Sequence, residues 1–293
     1  MESKLPIEIR PFSPVYEKQV IDLIVAIQRK EFDIPITADD GTVVTCKNSG
    51  EGPPLLIIHG TSSDHHIWQF VASRLTDHFN VFIMDRRGRC KSGDHPEYSI
   101  EKEFTDIAAI LNSFDDTVYV LGHSFGGLCT LEASLLASNV RELILYEPAI
   151  AFNQKKLVLC DRMEYLLESN QSEAALVFFM SKIVGISDKE IEFAKIQPDW
   201  KERLSAAQTI PREIRALAHY KYSAESFRSI RVPTTLFVGG DSPPFFKTMV
   251  LKVQAAIPHS KVVELPGQGH IAMRTAPDMF AEQVLKTLLH EEL

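Results

Sequence analysis

Cysteine is scarce in this sequence, basic charge is in deficit and long apolar runs are missing, and each shortage removes a class of function. The 293 residues hold 4 cysteines. Cys46, Cys90, Cys129 and Cys160 are scattered, with no C-x-x-C pair and no histidine spacing suited to zinc. Neither a disulfide framework nor a metal site is therefore expected, and reduced thiols in a cytoplasmic protein are. Asp and Glu outnumber Lys and Arg by 39 to 31, giving a formal net charge of -8. Such a surface does not attract a phosphate backbone, so nucleic acid is excluded as a partner on charge grounds. A small neutral or apolar molecule fits better. No stretch approaches the roughly 20 apolar residues that span a bilayer. The opening MESKLPIEIRPFSP has no basic segment followed by an apolar one, and the expectation is no secretory leader and no membrane partner.

What is present is an ordinary globular composition, 45% hydrophobic and 24% charged, able to bury one substantial core or one core with a modest insertion. From residue 42 onward, short apolar runs alternate with longer segments of helical period, which predicts a mainly parallel sheet covered by helices. The runs are Leu55-Ile58, Val81-Met84, Val118-Leu121, Leu143-Tyr146, Thr235-Val238 and Val262-Leu265. Each is nearly continuous in apolar or β-favouring residues, as strands buried on both faces should be. Thr42-Lys47, after Asp40-Gly41, reads as one arm of an earlier hairpin. The interval between Tyr146 and Thr235 is too long for one crossover. Residues 152–229 read as a helical cap: Lys155-Glu168, Ser172-Val184, Asp188-Ile196 and Trp200-Thr209 carry apolar residues at helical spacings, with Gly185, Pro198 and Pro211 as breaks. Residues 39–151 and 230–293 would then form the core. Phe178, Phe179, Met180 and Trp200 are the cap residues suited to lining an apolar pocket.

The segment Val120-Leu121-Gly122-His123-Ser124-Phe125-Gly126-Gly127 follows a predicted strand and opens a helix rich in small residues. That is the context a G-x-S-x-G nucleophile elbow requires. A serine on a strained strand-to-helix turn exposes its Oγ at the carboxyl edge of the sheet, and the flanking glycines let strand and helix approach closely.

Around this elbow the chain resembles the α/β-hydrolase superfamily from about residue 40 to the end. His59-Gly60 after Pro54-Ile58, with Trp68 downstream, looks like the family's oxyanion loop. Asp85-Arg86-Arg87-Gly88-Arg89-Cys90-Lys91-Ser92-Gly93 resembles its D-x-R-G-x-G-x-S loop, with Cys90 in place of a glycine. The resemblance implies an α/β fold and a Ser-His-acid triad with Ser124 as nucleophile. It also implies that the backbone N–H groups of Thr61 and Phe125 hold the oxyanion, and that neither a metal nor an organic cofactor is needed. His270, in Leu265-Pro266-Gly267-Gln268-Gly269-His270 after the last predicted strand, stands where the family has its general base, and imidazole chemistry suits that task. His123, inside the elbow, reads as structural.

Two carboxylates compete for the third position. Asp241 follows the strand Thr235-Val238, the family's usual place, but the sequence Gly239-Gly240-Asp241-Ser242 sets it one residue early, which turns a side chain away from its target. Glu147 ends the strand after the nucleophile, as in one branch of haloalkane dehalogenases and in zearalenone lactonases, and the latter share the G-x-S-P turn seen at Gly240-Asp241-Ser242-Pro243. Glu147 is favoured, with Asp241 as the alternative.

Residues 1–38 resemble no part of a hydrolase. Ile7-Phe12 reads as a strand and Ser13-Phe32 as an amphipathic helix, similar to the opening of a GNAT acetyltransferase but without the glycine turn that cradles acetyl-CoA phosphates. The segment is expected to pack on the hydrolase or to serve as an oligomerisation arm, so a homo-oligomer is compatible with the sequence. The functional expectation is a serine hydrolase of a carboxylic ester or lactone of a small, largely apolar substrate. C–C bond hydrolase, perhydrolase, acyltransferase and non-catalytic ligand receptor are alternatives on the same core.

Overall fold

The structure is a computed structural model that describes residues 31–290 of the chain. An eight-stranded sheet in the order β1-β2-β4-β3-β5-β6-β7-β8 organises it. The strands are β1 Phe32–Thr37, β2 Val43–Ser49, β3 Pro54–Ile58, β4 Asn80–Asp85, β5 Val118–His123, β6 Val140–Tyr146, β7 Thr234–Gly239 and β8 Lys261–Leu265. β1 and β2 form an antiparallel hairpin, β2 runs antiparallel to β4, and every later pairing is parallel. This is the α/β-hydrolase architecture that the alternation of apolar runs and helical periods predicts.

The parallel strands are apolar in consecutive positions because helices cover both faces. Leu56, Ile58, Val118, Val120, Leu143, Leu145, Leu236 and Val238 share one core with Leu128 of Ser124–Ala133 and Val250 of Pro244–Ala256. Their neighbours Leu55, Ile57, Tyr119, Leu121, Ile144, Tyr146 and Phe237 pack on the other face against Val71 of Gln69–Leu75 and Phe280 of Pro277–Leu288. The two-residue alternation of a strand thus divides one apolar run between two cores. Fully burying a side chain of this size contributes about 1.5–3 kcal/mol.

Between β6 and β7 the chain forms the cap, with α-helices Val158–Glu168, Ser172–Phe178, Asp188–Lys195, Trp200–Ala206 and Ile210–His219 around a separate apolar cluster that includes Met163, Leu176, Ile191 and Ile210. Pro211, read from the sequence as a break after Trp200-Thr209, marks the start of the next cap helix. It sits in the first turn of Ile210–His219, where proline's missing N–H costs nothing and its fixed φ suits the helix. The turn Phe179–Val184 is a π-helix ending at Gly185, φ +84°.

At the amino-terminal side the sheet begins at Phe32, so the last part of the segment 1–38 is its edge strand, paired in register from Phe32 with Asn48 to Thr37 with Val43. The predicted strand Ile7-Phe12 and nearly all of the predicted helix Ser13-Phe32 lie outside the described residues. Among the described residues no helix is long and apolar enough to cross a membrane.

Candidate active site

β3 has β4 on one side and β5 on the other, so the strand order reverses direction at this point. The carboxyl ends of β3 and β5 open onto the crevice where such sheets bind ligands. Ser124 lies at the end of β5 as the first residue of helix Ser124–Ala133, with φ +55°. A non-glycine residue held in this region costs on the order of 1–3 kcal/mol and persists only where the surroundings enforce it. Two glycines do so. A Cβ on Gly122 would lie 2.5 Å from Thr130 Oγ1, and one on Gly126 would lie 2.2 Å from the His59 carbonyl.

His270 follows β8, and its Nε2 is 3.1 Å from Ser124 Oγ. The ring is fixed on every side. Nδ1 is 2.5 Å from Glu147 Oε2, Phe246 stacks on the face at a centroid distance of 3.9 Å, and the His123 Nε2–H donates to the His270 carbonyl at 2.9 Å. Tyr146 Oη donates to the carbonyl of Gly269 just before it. Burial and the neighbouring His270 ring hold His123 well below the ordinary histidine pKa, so it is a neutral clamp at neutral pH.

Glu147 is fully buried and stands directly after β6 with φ +45°. Its backbone N–H donates to the Phe237 carbonyl at 3.1 Å, and its Oε1 accepts from the Gly239 N–H at 2.8 Å. Adjacent strands β6 and β7 therefore hold the carboxylate from both ends. Asp241 is exposed; its N–H donates to the Gln268 carbonyl at 2.9 Å, and it borders an outer hollow with Lys189 and Glu190. Of the two competing acids, the fold brings Glu147 to His270.

Thr61 and Phe125 line a cavity of about 90 Å³ together with Ser124 and His270. The loop after β3 and the turn at Ser124 touch closely, since a Cβ on Gly60 would meet Ser124 Cβ at 2.9 Å. The remaining walls are mostly apolar, including Phe179, Met180, Ile183, Ile214 and Leu217, with Ser62, Ser63 and the buried Arg203 as polar exceptions. Of the cap aromatics singled out by sequence, Phe179 lines this cavity, whereas Phe178 and Trp200 pack on the cap's own cluster.

The residues that sequence reasoning missed are the ones that hold the loop after β3. The fully buried Arg86 donates from Nε to the His59 carbonyl and from Nη2 to the Gly60 carbonyl, both at 3.1 Å. It also pairs with Glu103 at 2.8 Å and with Glu213 of the cap at 3.1 Å. Arg89 pairs with the same Glu213 and donates to the Ser63 carbonyl at 3.2 Å, and Arg203 donates to the Ser62 carbonyl at 3.1 Å. Although burial opposes it, Arg86 and Arg89 hold the Glu213 carboxyl below the ordinary glutamate range, and the Thr61 hydroxyl hydrogen-bonds to it as well. Burial, then the charge of Arg86, keeps His59 well below the usual histidine pKa. The motif around Asp85 points to Arg87, which pairs with Asp106 at 2.7 Å, and leaves Arg86 at a variable position. Nothing in the sequence signals a partner as distant as Glu213.

Comparison with known proteins agrees with this fold. Residues 55–283 match the family described as the alpha/beta hydrolase family. N-formylmaleamate deformylase of Pseudomonas putida is 31% identical over 106 residues, covering 35% of this chain and 40% of the deformylase. The putative carbamate hydrolase RutD of Azorhizobium caulinodans is 23% identical over 245 residues, 80% of this chain and 91% of its own. Among solved structures, an alpha/beta hydrolase from Sphaerobacter thermophilus superposes with a TM-score of 0.75 at 28% identity over 87% of this chain and 100% of its own. With a match spanning most of its length and the fold to go with it, the chain belongs to the alpha/beta hydrolase family.

Proposed function

We propose that this protein is a serine hydrolase that cleaves the carboxylic ester or lactone bond of a small, largely apolar substrate through an acyl-enzyme. The observation that carries the reading is the continuous hydrogen-bonded path from Ser124 through His270 to the buried Glu147, opening onto a mostly apolar cavity. In this reading His270 Nε2 removes the Ser124 proton as Oγ attacks the carbonyl carbon. The carbonyl oxygen takes up the negative charge and is held by the N–H groups of Thr61 and Phe125, donors worth about 3 kcal/mol of barrier each. Glu147 orients the imidazole and stabilises its cation. The imidazolium returns the proton to the leaving alcohol oxygen. Water, deprotonated by the same nitrogen, then attacks the acyl-Ser124 carbonyl, and the carboxylic acid leaves with Ser124 Oγ reprotonated.

The cavity over Ser124 is walled mainly by apolar side chains such as Phe179, Ile183 and Leu217, which suits a largely apolar substrate. An acyl–nitrogen bond is the second reading, favoured by the names of the two curated relatives, a deformylase and a putative carbamate hydrolase. The described thiols Cys46, Cys90, Cys129 and Cys160 are unpaired, which suits the reducing cytoplasm. Turnover of short p-nitrophenyl esters against the matching anilides separates ester from amide chemistry, and Ser124→Ala should remove either.

A further inference from the structure

The loop that follows β4 carries a cysteine where the related loops carry glycine, and the fold brings that cysteine to a cluster on the oxyanion loop. Asp64, His65, His66 and Cys90 can each offer one ligand atom such that all lie within 4.8 Å of one another. We propose that these side chains form a binding site for zinc(II) or a similar thiophilic divalent cation, separate from the hydrolytic centre.

Donor chemistry supports the assignment. One thiolate, two imidazoles and one carboxylate form the mixed sulfur, nitrogen and oxygen set that zinc binds tetrahedrally at ~2.0–2.3 Å. Ligand atoms around such an ion are ~3.3–3.8 Å apart, so closing the site needs side-chain movements of about an ångström. Hard cations such as magnesium prefer all-oxygen sites and do not suit this set.

The surroundings are arranged as a metal site's are. The buried Asp85 accepts from the His65 backbone N–H at 2.9 Å and lies 2.8 Å from His65 Nδ1, which leaves Nε2 for an ion. A carboxylate behind an imidazole fixes the tautomer and raises the ligand's basicity. Asp64, buried at 2% exposure, caps the short helix His65–Trp68 through Oδ1, which also lies 2.8 Å from His66 Nδ1, so a carboxylate and an imidazole of the proposed set are already in contact. Cys90 is exposed and borders a solvent-facing hollow of about 370 Å³ with Asp64 and Glu202, so the ion has an entry path. Lys201 lines the same hollow and must turn toward water. Cys90 has φ +45°, a conformation that favours glycine. Keeping a side chain there costs stability, and a metal ligand is a reason to keep it. Sequence spacing conceals the site because Asp64-His65-His66 and Cys90 meet only through the ends of β3 and β4.

The test uses the full chain, freed of metal with chelator and titrated with Co(II) and then Zn(II). The expected result is saturation at one Co(II) per chain, with a thiolate-to-cobalt charge-transfer band in the near ultraviolet that one equivalent of Zn(II) abolishes. Cys90→Gly, which fits the backbone at this position, should lose the band and weaken Zn(II) binding at least 100-fold while unfolding in chelator no earlier than the parent. His66→Gln, which leaves the thiol in place, should weaken binding at least tenfold. Absence of saturable binding in the parent, or a charge-transfer band that persists in Cys90→Gly, would overturn the proposal. So would Zn(II) affinity unchanged in both variants.

Discussion

Exchanging Glu147 for glutamine changes one atom type at a site where both carboxylate oxygens are engaged, and its effect can be worked out from that geometry. Oε1 accepts from the Gly239 N–H at 2.8 Å and Oε2 lies 2.5 Å from His270 Nδ1. In the Glu147→Gln variant the oxygen of the new amide must take the place facing Gly239, because the opposite orientation sets two N–H donors against each other in a fully buried position. The NH₂ group then faces Nδ1, which must accept, and the imidazole proton moves to Nε2, the nitrogen that should receive the serine proton. In serine proteases the acid-to-amide exchange, with geometry kept and the wrong tautomer enforced, lowers kcat about 10⁴-fold, equivalent to about 5.5 kcal/mol of barrier. We therefore expect Glu147→Gln to lower kcat by about 10³–10⁴-fold with little change in KM. The exposed Asp241 touches none of this, and Asp241→Asn should change kcat less than about twofold. Steady-state kinetics on a p-nitrophenyl ester compares the variants directly. A large loss in Asp241→Asn with near-normal turnover in Glu147→Gln would overturn the assignment of the acid.

Further expectations concern the supports of the site. Glu213→Gln leaves the buried guanidinium groups of Arg86 and Arg89 without their shared anion, which should cost about 3–5 kcal/mol in urea unfolding and lower kcat through the oxyanion loop; unchanged stability would show that the network is not needed. His59 and His123 are both held below the usual histidine pKa, so the unfolded chain binds more protons below about pH 6.5 and stability falls as the pH drops through that value. Each ring should account for about 1.4 kcal/mol of loss between about pH 7.5 and 5.5, and His123→Asn should lose about that much less than the parent over the same interval. An identical pH gradient in the two proteins would count against buried, neutral rings.

The strands are legible in the sequence because each is a local run with its own period, and the elbow and the base are legible because they sit at strand ends, where sequence order fixes position. Glu147 and Asp241 can be ranked but not separated by sequence alone. Which carboxylate reaches His270 depends on the pairing of β6 with β7, where Gly239 N–H takes one oxygen of Glu147 and leaves the other for the imidazole. The links from Arg86 to Glu213 and from Arg203 to Ser62 are not legible, since the cap's docking on the core has no periodic signature. Pro211 reads as an ending because proline both stops and starts helices. The cluster around Cys90 shares that obscurity, apart from the missing glycine.

Whether Ser124 is the nucleophile is asked most plainly by labelling the protein with a fluorophosphonate, followed by peptide mass spectrometry and ester assay of the parent and Ser124→Ala. The expected result is a single adduct on Ser124, loss of turnover in proportion to labelling, and neither label nor turnover in Ser124→Ala. An adduct at another residue, or turnover that survives in Ser124→Ala, would show that the nucleophile lies elsewhere.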